Sequence, residues 1–163
     1  MMELSRPVVL DRIGAAGSEH VVEAGPEELE ALAKRLMIPA VNRLACRIRL
    51  RREAGAIIEG TGHLEAEVVQ VCVLTLDEFP QEVREDFKVE FVPAGSESDD
   101  PDPDSPDQIP YEGGAIDLGE AAAEQLALAL DPYPKKPGAA EPEAETEEKP
   151  GPLAALAALR RPQ

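Results

Sequence analysis

The 163-residue sequence is poor in aromatic and in basic side chains. It has no tryptophan, two tyrosines and three phenylalanines, and its 16 lysines and arginines face 33 acidic residues. So few aromatic rings leave little material for the stacking platforms that bind single-stranded nucleic acid. The formal net charge of −17 repels phosphate backbones, so any contact with nucleic acid requires a local basic patch.

Long apolar runs and cysteines are also scarce. No stretch approaches the roughly 20 apolar residues that cross a bilayer as a helix. The first 14 residues include Glu3 and lack the basic-then-apolar order of a secretory signal. Two cysteines, Cys46 and Cys72, are too few for a disulfide framework. We therefore expect a cytoplasmic protein that does not contact membranes and keeps both thiols reduced.

Signatures of catalysis and of cofactor binding are missing from the sequence. Cys46 and Cys72 are isolated, and neither His20 nor His63 stands at a ligand spacing from them, whereas zinc sites use paired ligands such as Cys-x-x-Cys. Gly113–Gly114 is a lone pair, not a phosphate-binding loop. We expect no cofactor, no metal and no enzymatic activity, with both cysteines buried as structural thiols.

Composition divides the chain into a body, residues 1–133, and an extension, residues 134–163. Within the body, residues 96–114 hold seven acidic residues and no lysine or arginine, which predicts a solvated loop. Residues 134–151 are rich in proline, alanine and glutamate, which is typical of a disordered linker. Residues 152–161 are apolar and predict a short helix, for which docking on this chain and docking on a partner both stay open.

Two longer helices are predicted in the body. The first runs from Pro26 to Met37, because proline suits the first helical position. Its apolar side follows the i, i+3, i+4, i+7, i+8 spacing: Leu29, Leu32, Ala33, Leu36 and Met37. The second runs from Leu118 to Leu130, where Asp117 and Glu120 fit a capping box.

Alternation of apolar and polar residues predicts the strands. Three long strands cover residues 43–52, 57–74 and 82–92, Gly55 suits a hairpin turn between the first two, and Pro7–Asp11 and His20–Glu23 are candidate edge strands. The pattern predicts an α+β fold in which an antiparallel sheet or small open barrel is covered by two helices.

One predicted strand carries an arginine face, defined by Arg43, Arg47, Arg49 and Arg51. These side chains can contact phosphates of RNA. Alternatively they pair with Glu59, Glu65 and Glu67 on the next strand, which we favour because nearby acidic residues outnumber the basic ones. The acidic loop has two interpretations as well: a solubilising insertion, or a mimic of nucleic acid that attracts a basic partner.

Two blocks of the sequence resemble the YceD-like family. QVCVLTLDEFPQEVREDFKVEFVP (residues 70–93) is similar to its central motif, a C-x-x-C-L step followed by an acidic or proline-containing step and a strand. IPYEGGAIDLGEAAAEQLALALDPYPKKPG (residues 109–138) resembles its second block, where an Ile-Asp-Leu step opens a helix that ends in Leu-Ala-Leu and proline. The apolar tail resembles that of alphaproteobacterial members. The matching positions are Cys72, Leu76, Phe79, Ile116, Asp117, Leu118, Glu120, Leu126 and Leu128.

The resemblance implies a role for these positions, but no catalytic one. Ile116, Leu118, Leu126 and Leu128 are interpreted as core, and Asp117 and Glu120 as helix caps. Many family members have a second cysteine where Thr75 stands, and further cysteines at the positions of Pro134, Lys135 and Lys136. Those cysteines make a metal site plausible in such members, whereas this chain keeps Cys72 alone.

The family implies bacterial ribosome biogenesis, through synthesis, processing or stability of the large-subunit (23S) ribosomal RNA. We expect a non-enzymatic factor that contacts a ribosomal precursor particle or a basic ribosomal protein. Direct contact with ribosomal RNA through the arginine face is an alternative, as is a small adaptor that delivers a nuclease or a biosynthetic enzyme.

Overall fold

Residues 3–53, 55–96 and 106–139 are described by a computed structural model. Their helices and strands, in chain order, are β1 Pro7–Val9, β2 Ser18–Glu23, α1 Pro26–Leu36, β3 Ala40–Arg52, β4 Ile58–Val71, β5 Glu78–Pro93, β6 Asp107–Tyr111, β7 Ala115–Asp117 and α2 Leu118–Ala129. The predicted α+β class is confirmed. Residues 97–105, most of the predicted linker and the apolar tail lie outside the described ranges.

A five-stranded open sheet forms the frame of the molecule, in the order β2-β3-β4-β5-β6. Its first four strands are antiparallel neighbours, as predicted, and β6 pairs with β5 in parallel. A separate pair, β1 with β7, joins the start of the body to the residues just before α2. Within the described residues the sheet has two edges, so it is not a closed barrel.

Alternating side chains explain why one face of this sheet is buried. Leu44, Cys46, Ile48 and Leu50 of β3 are all buried, while the intervening arginines are exposed. Gly55 turns the chain between β3 and β4 with a φ of 66°, a conformation that favours glycine. Both helices pack on the buried face, α1 mainly against β3 and α2 mainly against β4 and β5.

The sequence of α1 fixes both of its ends. Gly25 precedes the helix and donates its N–H to Glu28 Oε1 at 2.9 Å, and Pro26 occupies the first helical position. Leu32 and Ala33 are buried as predicted. Met37 was placed on the same apolar side, and this is wrong: it is 90% exposed. Its left-handed backbone, with a φ of 57°, ends the helix and carries the side chain off the buried stripe.

The buried stripe of α2 covers much of its first two turns, with Leu118, Gly119, Ala121, Ala122, Ala123, Gln125 and Leu126 all buried. The core assignment is therefore right for Leu118 and Leu126, and also for Ile116 in β7. It is wrong for Leu128, which is 69% exposed. Leu128 lies two positions after Leu126, about 200° around the helix, and so faces away from the sheet.

The acidic segment is not a loop throughout. Residues 107–111 form β6 at the sheet edge, and Ala94 donates its N–H to the Tyr111 carbonyl at 2.9 Å. The prediction of a solvated loop over the whole of residues 96–114 is therefore wrong for this part. An edge strand tolerates Pro110, which has no N–H to pair, and Ile109 packs against the core.

Candidate functional site

The arginine face lies on the solvent side of β3, opposite the helices, as the alternation predicted. Its partners agree only in part with the predicted ones. Arg43 pairs with Glu65 at 3.5 Å and Arg51 with Glu59 at 3.4 Å. Arg47 instead pairs with Glu19 of β2 at 3.2 Å. Among the described residues, no ion pair joins Arg49 to a carboxylate or Arg43 to Glu67.

The neighbouring strands surround these arginines with acid. Register places eight carboxylates and six basic side chains on the outer face of β2 to β5. The acids are Glu19, Glu23, Glu59, Glu65, Glu67, Glu82, Asp86 and Glu90, and the bases are Arg43, Arg47, Arg49, Arg51, Arg84 and Lys88. The arginines of β3 form one row, and the outward positions of β2 and β4 on either side of it are mostly acidic, so this face is a mixed-charge surface in which the basic row is bordered by carboxylates.

His63 lies on the same mixed-charge face of the sheet. His63 lies between two carboxylates, with Nδ1 2.6 Å from Asp86 and Nε2 3.2 Å from Glu65. The hydrogen bonds to Asp86 and then to Glu65 raise the pKa of His63, and the pKa of Glu65 is lowered in turn, chiefly by His63. His63 therefore belongs to the surface charge network.

The Ile-Asp-Leu step does more than open a helix. Asp117 accepts hydrogen bonds from the N–H groups of Gly119 and Glu120, at 2.9 and 3.2 Å, which caps α2 as predicted. It also accepts from Ser5 Oγ at 2.7 Å and from the Arg6 N–H at 2.8 Å. One carboxylate therefore holds the helix and the N-terminal segment together.

Glu120 departs from the predicted capping box. Its carboxylate forms a two-pronged contact with Arg35 at the end of α1, at 2.7 and 2.9 Å, and Arg35 also pairs with Glu3 at 3.1 Å. These contacts raise the pKa of Arg35, chiefly through Glu120. Asp117 and Glu120 thus join distant segments of the fold, which supports a structural role for both.

A tight turn, which we call the knuckle (residues 72–77), connects β4 to β5. The Cys72 N–H donates to the Asp77 carbonyl and the Leu76 N–H to the Cys72 carbonyl, each at 2.8 Å. Leu76 has a left-handed φ of 62°, and its side chain is 77% exposed. Two further contacts tie the knuckle to the chain beyond α2: Val73 N–H to the Pro134 carbonyl at 2.9 Å, and Lys136 Nζ to Asp77 at 2.9 Å.

Cys72 is buried inside this turn, as predicted, and polar neighbours surround its sulfur. Its sulfur accepts hydrogen bonds from the Thr75 hydroxyl and from the backbone N–H groups of Lys136, Thr75 and Leu74, which lower the pKa of Cys72 to about 7. Cys46 shows the opposite effect, because desolvation alone raises its pKa to about 12. The structure thereby brings Thr75 and Lys136, where the resemblance places cysteines in other members, against Cys72.

The residues around Cys72 do not fit a metal ion. Thr75 and Lys136 supply hydrogen-bond donors where a zinc site needs thiolates, and the Lys136 amine already pairs with Asp77. No group of three or more histidine, cysteine or acidic side chains in the described ranges is arranged to hold a metal. Elemental analysis of the purified protein tests the metal-free prediction directly.

Exposed apolar side chains collect around the knuckle. Large hydrophobic residues exposed at this end of the molecule belong to three segments, the end of α1, the knuckle region and the end of α2: Met37, Val71, Val73, Leu76, Leu128 and Tyr133. The sequence did not predict this surface, because residues 72–74 were assigned to a strand that ends at Val71. The turn-forming residues Thr75 and Asp77, which interrupt the alternation, were the available signal.

A groove of about 370 Å³ lies beside the knuckle. Its walls come from the end of α1, the end of β4 and the chain after α2, and include Leu36, Met37, Gln70, Val71, Leu130 and Pro134. Gln70 was not singled out by the sequence analysis, although a polar residue at an inward position of an apolar strand is a visible signal. No helix in the described part of the chain is long and apolar enough to cross a membrane.

Comparison with known proteins gives one match. The family model described as "Large ribosomal RNA subunit accumulation protein YceD" matches residues 60–160. That range covers β4, the knuckle, β5, the Ile-Asp-Leu step and α2, and continues through the apolar tail. No curated protein and no solved structure matches the chain.

Proposed function

Because this chain belongs to the YceD family, we propose that it supports accumulation of large-subunit ribosomal RNA by binding a basic ribosomal protein of the precursor particle. The family description concerns accumulation of that RNA, and binding to a protein is our addition. The proposal includes a non-enzymatic mode of action in the cytoplasm, where ribosomes are assembled.

The charge of the molecule favours a protein partner over RNA. The net charge of −17 attracts basic proteins and repels phosphates at long range. Near 0.15 M salt this field reaches only about 8 Å, so a local cluster of arginines would still matter. The arginines of the arginine face are close together, but Arg43, Arg47 and Arg51 each contact a carboxylate of a neighbouring strand, which offsets their positive charge.

The knuckle supplies the observation that carries the proposal. A surface leucine held at a φ of 62° with 77% of its area exposed makes no contribution to the core. Val73 on the same turn is also exposed, and hydrogen bonds to Pro134 and Lys136 hold the turn rigid. A fixed apolar tip on an acidic protein suits a partner that is itself basic with an apolar contact point.

A pull-down from cells, with and without ribonuclease treatment, tests this proposal. Ribosomal proteins should be recovered in both cases, because the contact is with protein. The variant Leu76→Asn should lose them and remain folded, since asparagine adopts the left-handed conformation more readily than leucine. Val21→Thr is the matched control, as Val21 is exposed on β2, away from the knuckle.

Two results would contradict the proposal. Recovery of ribosomal proteins only before ribonuclease treatment would show that RNA bridges the contact and would favour direct RNA binding. Equal recovery by the Leu76→Asn variant and the native protein would remove the knuckle from the interface.

A further inference from the structure

The groove beside the knuckle exposes apolar surface. Leu36, Val71, Leu130 and Pro134 give it apolar walls. Met37 stands at its rim with 90% of its area exposed, the most exposed of the large hydrophobic side chains in the described ranges. Burying exposed apolar area is favourable, and here three separate segments of the chain form one binding surface.

Gln70 is a buried polar side chain in the wall of this groove. The side chain is buried, at 4% exposure, and its Nε2 donates to the Asp131 carbonyl at 3.2 Å. Its Oε1 has no hydrogen-bond partner within the described residues. Buried acceptors are normally paired, and this oxygen is itself shielded from solvent, so it does not face the open part of the groove.

The chain itself carries a fitting occupant close by. The described residues end at Ala139, five positions after Pro134 in the groove wall. The chain continues for 24 residues, and their apolar part is the segment from Pro152 to Leu159. Leu153, Leu156 and Leu159 recur at three-residue steps, which places them on one side of a helix.

The chain between Ala139 and Leu153 is long enough to span tens of ångströms and short enough to keep the leucine segment near the groove. The 13 residues between Ala139 and Leu153 reach up to about 45 Å when extended. A covalent connection of this length gives an effective concentration on the order of millimolar, so even weak docking becomes populated. The segment is too short to be a stable helix alone, and docking would provide the missing stabilisation.

We propose that residues 152–161 form a helix whose leucine side fills this groove on the same chain. The two terminal arginines then lie on an acidic protein, which adds charge complementarity. The inference concerns the free protein and does not depend on the proposed function.

The methyl group of Met37 provides a selective probe. The other two methionines are Met1 and Met2, so carbon-13 labelling of methionine methyl groups gives few signals. The signal that is lost in the variant Met37→Leu is that of Met37. The Met37 signal of the full chain should differ from that of a chain ending at residue 151. Leu156→Glu in the full chain should reproduce the truncated spectrum, and Ala158→Glu, on the opposite side of the helix, should keep the native one.

A peptide of residues 152–163 completes the test. Added to the truncated chain, it should restore the native Met37 signal. An unchanged Met37 signal in both the truncated chain and Leu156→Glu would overturn the proposal. A native signal that fades on dilution would overturn docking on the same chain and indicate docking between copies.

Discussion

Replacing Asp117 with alanine tests the junction between α2 and the N-terminal segment. The carboxylate accepts four hydrogen bonds, from Ser5, Arg6, Gly119 and Glu120, at 2.7 to 3.2 Å. Alanine removes all four acceptor contacts at once. The helix loses its cap, and the N-terminal segment loses its tie to the helix.

The expected cost follows from two losses. Removing an aspartate cap typically destabilises a protein by about 1 kcal/mol. The half-buried N–H of Arg6 is also left without its partner, which adds about 1–2 kcal/mol, the lower part of the usual range for unpaired donors. The variant Asp117→Ala should therefore lose about 2–3 kcal/mol of unfolding free energy. For a chain of this length that lowers Tm by about 4–12 °C.

Urea unfolding and calorimetry measure this loss, and two variants calibrate it. Asp117→Asn retains an acceptor of equal capping strength, so it should lose less than half as much. Asp86→Ala removes an exposed aspartate that pairs with His63 on the outer face, so its cost should stay within about 0–1 kcal/mol. A loss for Asp117→Ala no larger than for Asp86→Ala would refute the argument that Asp117 joins the two segments.

Three further changes test other parts of the description. Replacing Arg47 and Arg49 with glutamine should cost at most about 1 kcal/mol and leave affinity for ribosomal RNA weak, whereas each phosphate contact would change the log–log salt slope by about 0.7–0.9. Gly119→Ala should destabilise by about 1–3 kcal/mol, because the added methyl lies 2.6 Å from a backbone carbonyl oxygen of the N-terminal segment. The lowered pKa of Cys72 stabilises the fold at high pH, so the unfolding free energy should rise from about pH 7 to pH 9. Thr75→Val should raise the pKa of Cys72, as followed by thiolate absorbance, and should reduce that rise.

Each of these tests has a matched control in the chain. Arg84→Gln with Lys88→Gln removes equal charge from β5, so tight RNA binding that only the arginine-face variant loses would reverse our preference. Gly114→Ala adds a methyl group in open space and should be neutral, and equal costs for both glycine variants would be inconsistent with the close approach. Thr61→Val leaves the knuckle unchanged, and Cys46 does not titrate in this pH range. If the thiolate absorbance of Thr75→Val titrates at the same pH as that of the native protein, the Thr75 hydroxyl does not set the pKa of Cys72.

Local patterns in the sequence predicted the frame of the fold because their causes are local. Alternation along β3 specifies which face of the strand is exposed to solvent, and Gly55 permits the turn that follows it. Pro26 and Asp117 mark where the two helices begin. Each signal acts within a few residues. The resemblance to the YceD family likewise depends on contiguous blocks, and the family match over residues 60–160 confirms it.

The features of the candidate site could not be predicted, because they depend on segments that are distant in sequence. Glu120 looks like part of a cap, but Arg35 lies within reach and binds it instead. Leu128 and Leu76 belong to apolar patterns, yet neither has a packing partner where the fold places it. The partner of Gln70, Asp131, and one of the donors around Cys72, Lys136, come from the chain that follows α2, about 60 residues away.

The sequence by itself therefore determined the class of fold, the two faces of the sheet, the acidic character and the family. Periodicity, charge and motif order are properties of the chain, and no folding is needed to read them. The tertiary structure alone decided that the arginines are divided among carboxylates on both neighbouring strands, that residues 107–111 complete the sheet, and that a rigid apolar knuckle stands beside an open groove. Those outcomes depend on which side chains meet in space, and that is set by how the helices and strands pack together.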